Sequence, residues 1–280
     1  MSLKLMYITN RTDVAKIADK NGVDRIFVDM EYIGKEERQS GLDSVKCFHT
    51  VEDVRAIRKV IKNAELLVRV NPIHNATESY CSSEEEIEGV VAAGADIIML
   101  PMAKTVCEIE RFVKCVGGRA RTMLLLETKE ASEIIEDMLN VGGIDEVHIG
   151  LNDLHLSKGK KFMFELLVDG TVETLCKKIR SFGIPYGFGG IARLGYGMLP
   201  AENVITEHYR LGSSMAILSR SFCNINKITD LEEIGKLFSL EMKKIREFEA
   251  CLQVKEKQHF SNNQQIVLKL VDDIVRTIDG

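Results

Sequence analysis

No stretch of the 280-residue chain approaches the roughly 18 consecutive apolar residues that a membrane span requires, and the opening MSLKLMYITNRTDV turns polar after one short apolar run. No membrane-spanning helix is therefore expected, and the chain reads as a cytoplasmic protein. There is no basic stripe: 37 Lys and Arg are scattered among 42 Asp and Glu for a net charge of −5, which gives nucleic acid no electrostatic footing. There is no CxxC pair either. Cys47, Cys81, Cys107, Cys115, Cys176, Cys223 and Cys251 are odd in number and fall mostly within helical patterns, where a thiol is expected to serve as a small apolar group. Low-complexity segments and internal repeats are also missing. No GxGxxG follows the first strand-like run and no GxxxxGK[ST] occurs, so nucleotide-binding open sheets lose their main support.

What is present is 45% hydrophobic and 28% charged, with ample material for a large core. Eight short apolar runs alternate with longer amphipathic stretches, as expected when parallel strands are covered on both faces by crossover helices. The runs are Leu3 to Ile8, Arg25 to Met30, Leu66 to Val70, Asp96 to Leu100, Arg121 to Leu126, Glu146 to Gly150, Tyr186 to Gly189 and Met215 to Leu218. The rhythm predicts an α/β fold, a (β/α)8 TIM barrel over 1–228, which fits the roughly 250 residues such barrels use. Ser83 with Glu86 has the spacing of a capping box, and Gly94, Gly142, Gly183 and Gly212 stand where helices should stop. Residues 229–280 read as additional C-terminal helices, broken at Ser261 to Asn263, each with an apolar face to bury on the barrel or on a neighbouring subunit.

In such a barrel the functional groups gather where the strands end. Asp29 and Glu31 end the second run, Arg69 and Asn71 the third and Glu127 the fifth, while Asp153 follows the sixth. Two carboxylates on adjacent strands, Glu127 and Asp153, suit a hard cation that takes its remaining ligands from water and substrate, Mg²⁺ or Mn²⁺. They suit equally a capping Asp and a solvent-facing Glu. Arg69, after three apolar residues, needs an anionic partner, and a substrate oxyanion or the carboxylates of Asp29 and Glu31 would serve. Gly150 in HIGLND offers unhindered backbone beside that position.

The stretch TMLLLETKEASEIIEDMLNVGGIDEVHIGLNDLHLSKG, together with GADIIMLPMAKT, LLVRVNP and FVDMEY, resembles the HpcH/HpaI aldolase and citrate lyase beta-subunit family of the phosphoenolpyruvate/pyruvate-binding barrels, from about Asp24 to Gly159. The resemblance implies that Glu127 and Asp153 bind the metal. It also implies that Arg69 holds the oxygen of a pyruvate-like 2-oxo acid, with Gly150 and Asn152 beside the substrate. Asp29, Glu31 and Tyr32 would surround the metal-bound waters. Two positions depart from the family. Tyr32 stands where the aldolases carry a His and the citrate lyases an acid, and Leu125 stands where the aldolases carry a Gln, so His49 is the candidate for proton transfer.

The activity implied is a metal-dependent carbon-carbon lyase of the class II aldolase type, working through a metal-stabilised enolate in a homo-oligomer. Two alternatives stay open: a catalytically silent or repurposed pyruvate-binding barrel, and an acyl-CoA lyase of the citrate lyase type.

Overall fold

The computed structural model describes residues 2–34, 49–225 and 227–279, and in it the eight expected strands close into one parallel barrel in chain order. They are β1 Lys4–Ile8, β2 Arg25–Asp29, β3 Glu65–Arg69, β4 Ile97–Leu100, β5 Arg121–Leu126, β6 Glu146–Ile149, β7 Tyr186–Ile191 and β8 Met215–Leu218. Around them, in chain order, lie α1 Thr12–Lys20, α2 Val51–Arg58, α3 Ser83–Ala92, α4 Val106–Val116, α5 Lys129–Glu133, α6 Ile135–Asn140, α7 Leu151–Ser157, α8 Glu165–Val168, α9 Thr171–Ser181, α10 Ala201–Leu211, α11 Leu231–Gln253 and α12 Lys257–Asp279. Each strand begins and ends within two residues of its apolar run, because strands buried on both faces need apolar side chains throughout. Gly94, Gly142, Gly183 and Gly212 do end helices, at φ of +92°, +76°, +72° and +70°.

Three local expectations are corrected. The capping box at α3 is Ser82 with Glu85, since the Ser83 hydroxyl is already taken by the His74 amide at 2.9 Å. The amphipathic stretch after β5 predicts one helix over Ala131 to Leu139, but the chain breaks at Ile134 into two short helices. The C-terminal break falls at 254–256, and Ser261 to Asn263 lie inside α12. Asn263 there is a docking residue: its Nδ2 donates to the Asn203 carbonyl at 3.1 Å and to Glu207 Oε1 at 2.9 Å, and its Oδ1 accepts from Asn203 Nδ2 at 2.8 Å.

Both C-terminal helices pack on the barrel of their own chain. α11 lies against α1 and α10, in the place of the helix that follows β8, with Phe238 edge-on to Tyr7 at 4.9 Å and Glu249 accepting from the Leu3 amide at 2.6 Å. α12 lies outside it, on α10 and α8. The cysteines divide differently from the expectation: Cys176 and Cys223 are buried, but Cys81, Cys107 and Cys251 are exposed, and Cys47 lies outside the described residues.

Side chains from Met6, Phe27, Leu67, Ile97, Met99, Met123, Leu125 and Met215 fill the barrel interior. At its N-terminal end the filling changes character. Arg25, fully buried, donates to Glu146 through both Nη atoms at 2.6 and 2.7 Å and to Glu65 through Nε at 3.0 Å. Arg121 completes a ring by bonding to Glu146 at 3.0 Å and to Glu65. The opposite end, where the strands finish, is left for chemistry.

Candidate functional site

The pairing of β2 with β3 sets Asp29 beside Arg69, and both side chains turn into the mouth. Arg69 donates from Nε and Nη2 to the two Asp29 oxygens at 2.8 and 2.7 Å, and its Nη1 meets Glu31 at 3.1 Å. Phe27 lies beneath the guanidinium at 5.8 Å from its ring centre. The sequence left two partners open for Arg69, and the structure supplies the carboxylates. A guanidinium carries five N–H groups, however, so one on each Nη remains for a further acceptor. A substrate role and a pairing role are compatible.

The backbone after β2 is fixed by Asn71, whose Oδ1 accepts from the amides of Tyr32 and Ile33, both at 3.0 Å, while its Nδ2 donates to Glu86 at 2.8 Å. Burial raises the pKa of the Tyr32 phenol, aided by the Glu86 charge, and its ring leans on Tyr80 at 5.3 Å. Tyr32 thus stays protonated at neutral pH. His49 is buried and accepts from the Asp29 amide through Nδ1 at 3.0 Å, which ties its ring to the end of β2.

Glu127 closes β5 as expected. Its Oε1 accepts from the Met102 amide at 3.1 Å, and Met102 adopts a left-handed φ of +55° to present that amide. A non-glycine residue in that region stores strain. Gly150 lies on the other flank: a Cβ there would come within 2.8 Å of Glu127 Cβ and 2.9 Å of its Oε2. The glycine is therefore the space the carboxylate occupies. Asp153 is half-buried in the first turn of α7, close enough to raise the Glu127 pKa by repulsion, whereas Asn152 is exposed. Burial pushes the pKa of Glu127 well above the usual 4.5, Arg69 offsets part of that rise, and Asp153 and Glu31 add to it. Asp29, Glu31 and Glu127 thus bring three carboxylates to one guanidinium, and Asp153 adds its charge beside Glu127.

That arrangement would hold a divalent cation through Glu127 and Asp153. Among the described residues no three or more His, Cys, Asp or Glu side chains come together as a ready cage, so water and a chelating ligand would complete the shell. Two other residues were not foreseen. Met102 was hidden in an apolar segment, and His148, one layer below Gly150, donates from Nε2 to the Gly189 carbonyl at 3.0 Å and leaves Nδ1 unpartnered. Burial lowers the pKa of His148 to about 4, so it is neutral. Leu125 is buried among the apolar side chains of the interior, which makes the corner next to Glu127 apolar.

The HpcH/HpaI aldolase/citrate lyase family model matches residues 4–165, more than half of the chain. Among solved structures, an HpcH/HpaI aldolase/citrate lyase family protein from Burkholderia cenocepacia J2315 has a TM-score of 0.63 at 13% identity, covering 83% of this chain and 95% of its own. The HpcH/HpaI aldolase from Desulfitobacterium hafniense DCB-2 has a TM-score of 0.60 at 17% identity, covering 78% and 86%. Citrate synthase SbnG has a TM-score of 0.60 at 15% identity, covering 84% and 94%. At these identities the likeness is one of fold. No curated protein sequence matches the chain.

Proposed function

The chain belongs to the HpcH/HpaI aldolase/citrate lyase family and is an enzyme of the lyase class, and from that premise we propose that it makes and breaks a carbon-carbon bond next to a 2-oxo acid with the help of Mg²⁺ or Mn²⁺. The observation that carries this reading is the Glu127 carboxylate, buried beside Asp153 in a space that only a glycine at 150 leaves open. When bound, the metal acts as a Lewis acid that draws charge from the keto oxygen. Glu127 and Asp153 would hold it. Arg69 turns its two remaining N–H groups to the substrate's oxygen and favours the enolate over the ketone, because an ionic hydrogen bond is stronger to the more negative oxygen. Asp29 and Glu31 keep the guanidinium in one orientation, Gly150 and Asn152 flank the substrate, and His49 is the candidate for moving a proton.

The test is exchange of the pyruvate methyl protons into D₂O with added Mn²⁺, followed by NMR. Wild type should exchange, and oxalate with Mn²⁺ should raise its melting temperature by ligand linkage. Arg69→Lys should lose most of the oxalate shift, because a point charge cannot reproduce the fork, and should also melt lower than wild type, because Asp29 loses its bidentate partner. Wild-type Mn²⁺ binding without exchange would rule out the lyase reading of this site in favour of a binding barrel. A Lys variant with the full oxalate shift would remove Arg69 from the substrate.

Among the described residues no helix is long and apolar enough to cross a membrane, in keeping with the cytoplasmic location we propose. The exposed Leu240 of α11 and Ile266 and Leu268 of α12 favour a homo-oligomer. Light scattering at the mass of a single chain would refute that.

A further inference from the structure

Arg193 lies in the segment after β7, on the rim of the mouth, and is held in two ways. Its guanidinium stacks 4.2 Å from the centre of the Tyr196 ring, and its Nε donates to the Ser221 carbonyl at 3.3 Å. Among the described residues both of its Nη groups have no acceptor, whereas Arg11, Arg58, Arg111, Arg210 and Arg246 each grip a carboxylate. The next acid along the chain, Glu202 in the first turn of α10, accepts from the Gly195 amide through Oε1 at 2.6 Å and makes no ion pair with Arg193. A fork whose plane and stem are fixed and whose tips are idle is preorganised for an oxyanion.

Its surroundings have the same character. Ser219 and Ser221, at the end of β8, share a hydrogen bond at 2.7 Å and so bring two hydroxyls to the residue that anchors Arg193. Ser219 faces Gly190 across the β7–β8 wall, where even an added Cβ would sit 3.6 Å from its own. Arg220 lies between the two serines and is exposed. In (β/α)8 barrels the loops after the seventh and eighth strands are where phosphate groups are most often held.

We propose that Arg193, with Ser219 and Ser221, binds the phosphate of a phosphorylated aldehyde that serves as the second substrate. This rests on the 2-oxo-acid reading of the carboxylate site at the same end of the barrel. Phosphate fits better than carboxylate because the two Nη groups and the one serine O–H not used between the hydroxyls point from different elements, beyond what two carboxylate oxygens can use in one plane, while three phosphate oxygens spread around them.

The experiment compares glyceraldehyde 3-phosphate, glyceraldehyde and succinic semialdehyde as partners for pyruvate with Mn²⁺, in wild type and in Arg193→Gln. Wild type should favour the phosphorylated aldehyde in kcat/KM by roughly 10- to 100-fold, the range for losing hydrogen bonds to a charged group. Arg193→Gln should lose that preference while pyruvate proton exchange and the rate with glyceraldehyde stay at wild-type values. Equal use of the three aldehydes, a preference for succinic semialdehyde, or an unchanged preference in the variant would overturn the proposal. If wild type exchanges no pyruvate protons, the 2-oxo-acid reading falls by itself, and calorimetry with glycerol 3-phosphate then decides the subsite. Binding that Arg193→Gln abolishes supports it, and no binding to wild type overturns it.

Discussion

In Glu127→Gln, high-affinity Mn²⁺ binding should vanish in calorimetric titration, and pyruvate proton exchange should fall by roughly a thousand-fold or more, since the lost Lewis acid supplies several kcal/mol of charge stabilisation. Without metal the same substitution should act in the opposite direction on stability. The folded pKa of Glu127 is raised well above 4.5, mainly by burial and further by Asp153 and Glu31. A carboxyl with a raised folded pKa binds its proton more tightly folded than unfolded, so stability is lost as pH climbs from about 4.5 towards the folded value. With EDTA present, the Gln variant should therefore melt above wild type at pH 7 and level with it near pH 4. Undiminished Mn²⁺ affinity would take Glu127 out of the metal site, and equal melting at pH 7 would show that the buried carboxylate is compensated in some other way.

Arg25→Met is expected to destabilise the protein by about 3 kcal/mol, the lower end of the range for removing one partner from a buried ion pair. Arg25 is fully buried and Glu146 nearly so, and the variant leaves Glu146 with Arg121 alone. Replacing both, in Arg25→Met with Glu146→Gln, should recover part of the loss, because no buried carboxylate is then left short of charge. Urea unfolding of the single and double variants decides it. A single-variant loss below about 1 kcal/mol would mean that water reaches the ring and screens it.

The barrel could be read from the sequence because its strands are covered on both faces, so each appears as an uninterrupted apolar run whose length and spacing repeat. Glu127 could be read for a related reason: a carboxylate that ends MLLLE interrupts a pattern the fold otherwise enforces. Arg69 was half legible. The sequence showed that it needed an anion, but its engagement of Asp29 and Glu31, with N–H groups to spare, depends on a strand pairing that no local pattern records. Met102 and Arg193 were not legible. Their roles come from contacts between loops of different strands, Met102 reaching Glu127 and Arg193 reaching Ser221. Asn263 misled for a comparable reason: polar residues in a helix suggest a break unless their partners, here on α10, are known.

The ring of Arg25, Glu65, Arg121 and Glu146 also bears on how the barrel assembles. The strands β1 to β4 bring one Arg and one Glu to it, and β5 to β8 bring another of each. Each half therefore carries a neutral pair of its own, and the contacts Arg25–Glu146 and Arg121–Glu65 form only when the halves meet. A one-residue slip of any contributing strand would turn its charge out of the barrel and into the apolar layer beneath the helices. The ring thus discriminates against misregistered closure, and two separately made halves should recognise each other through it.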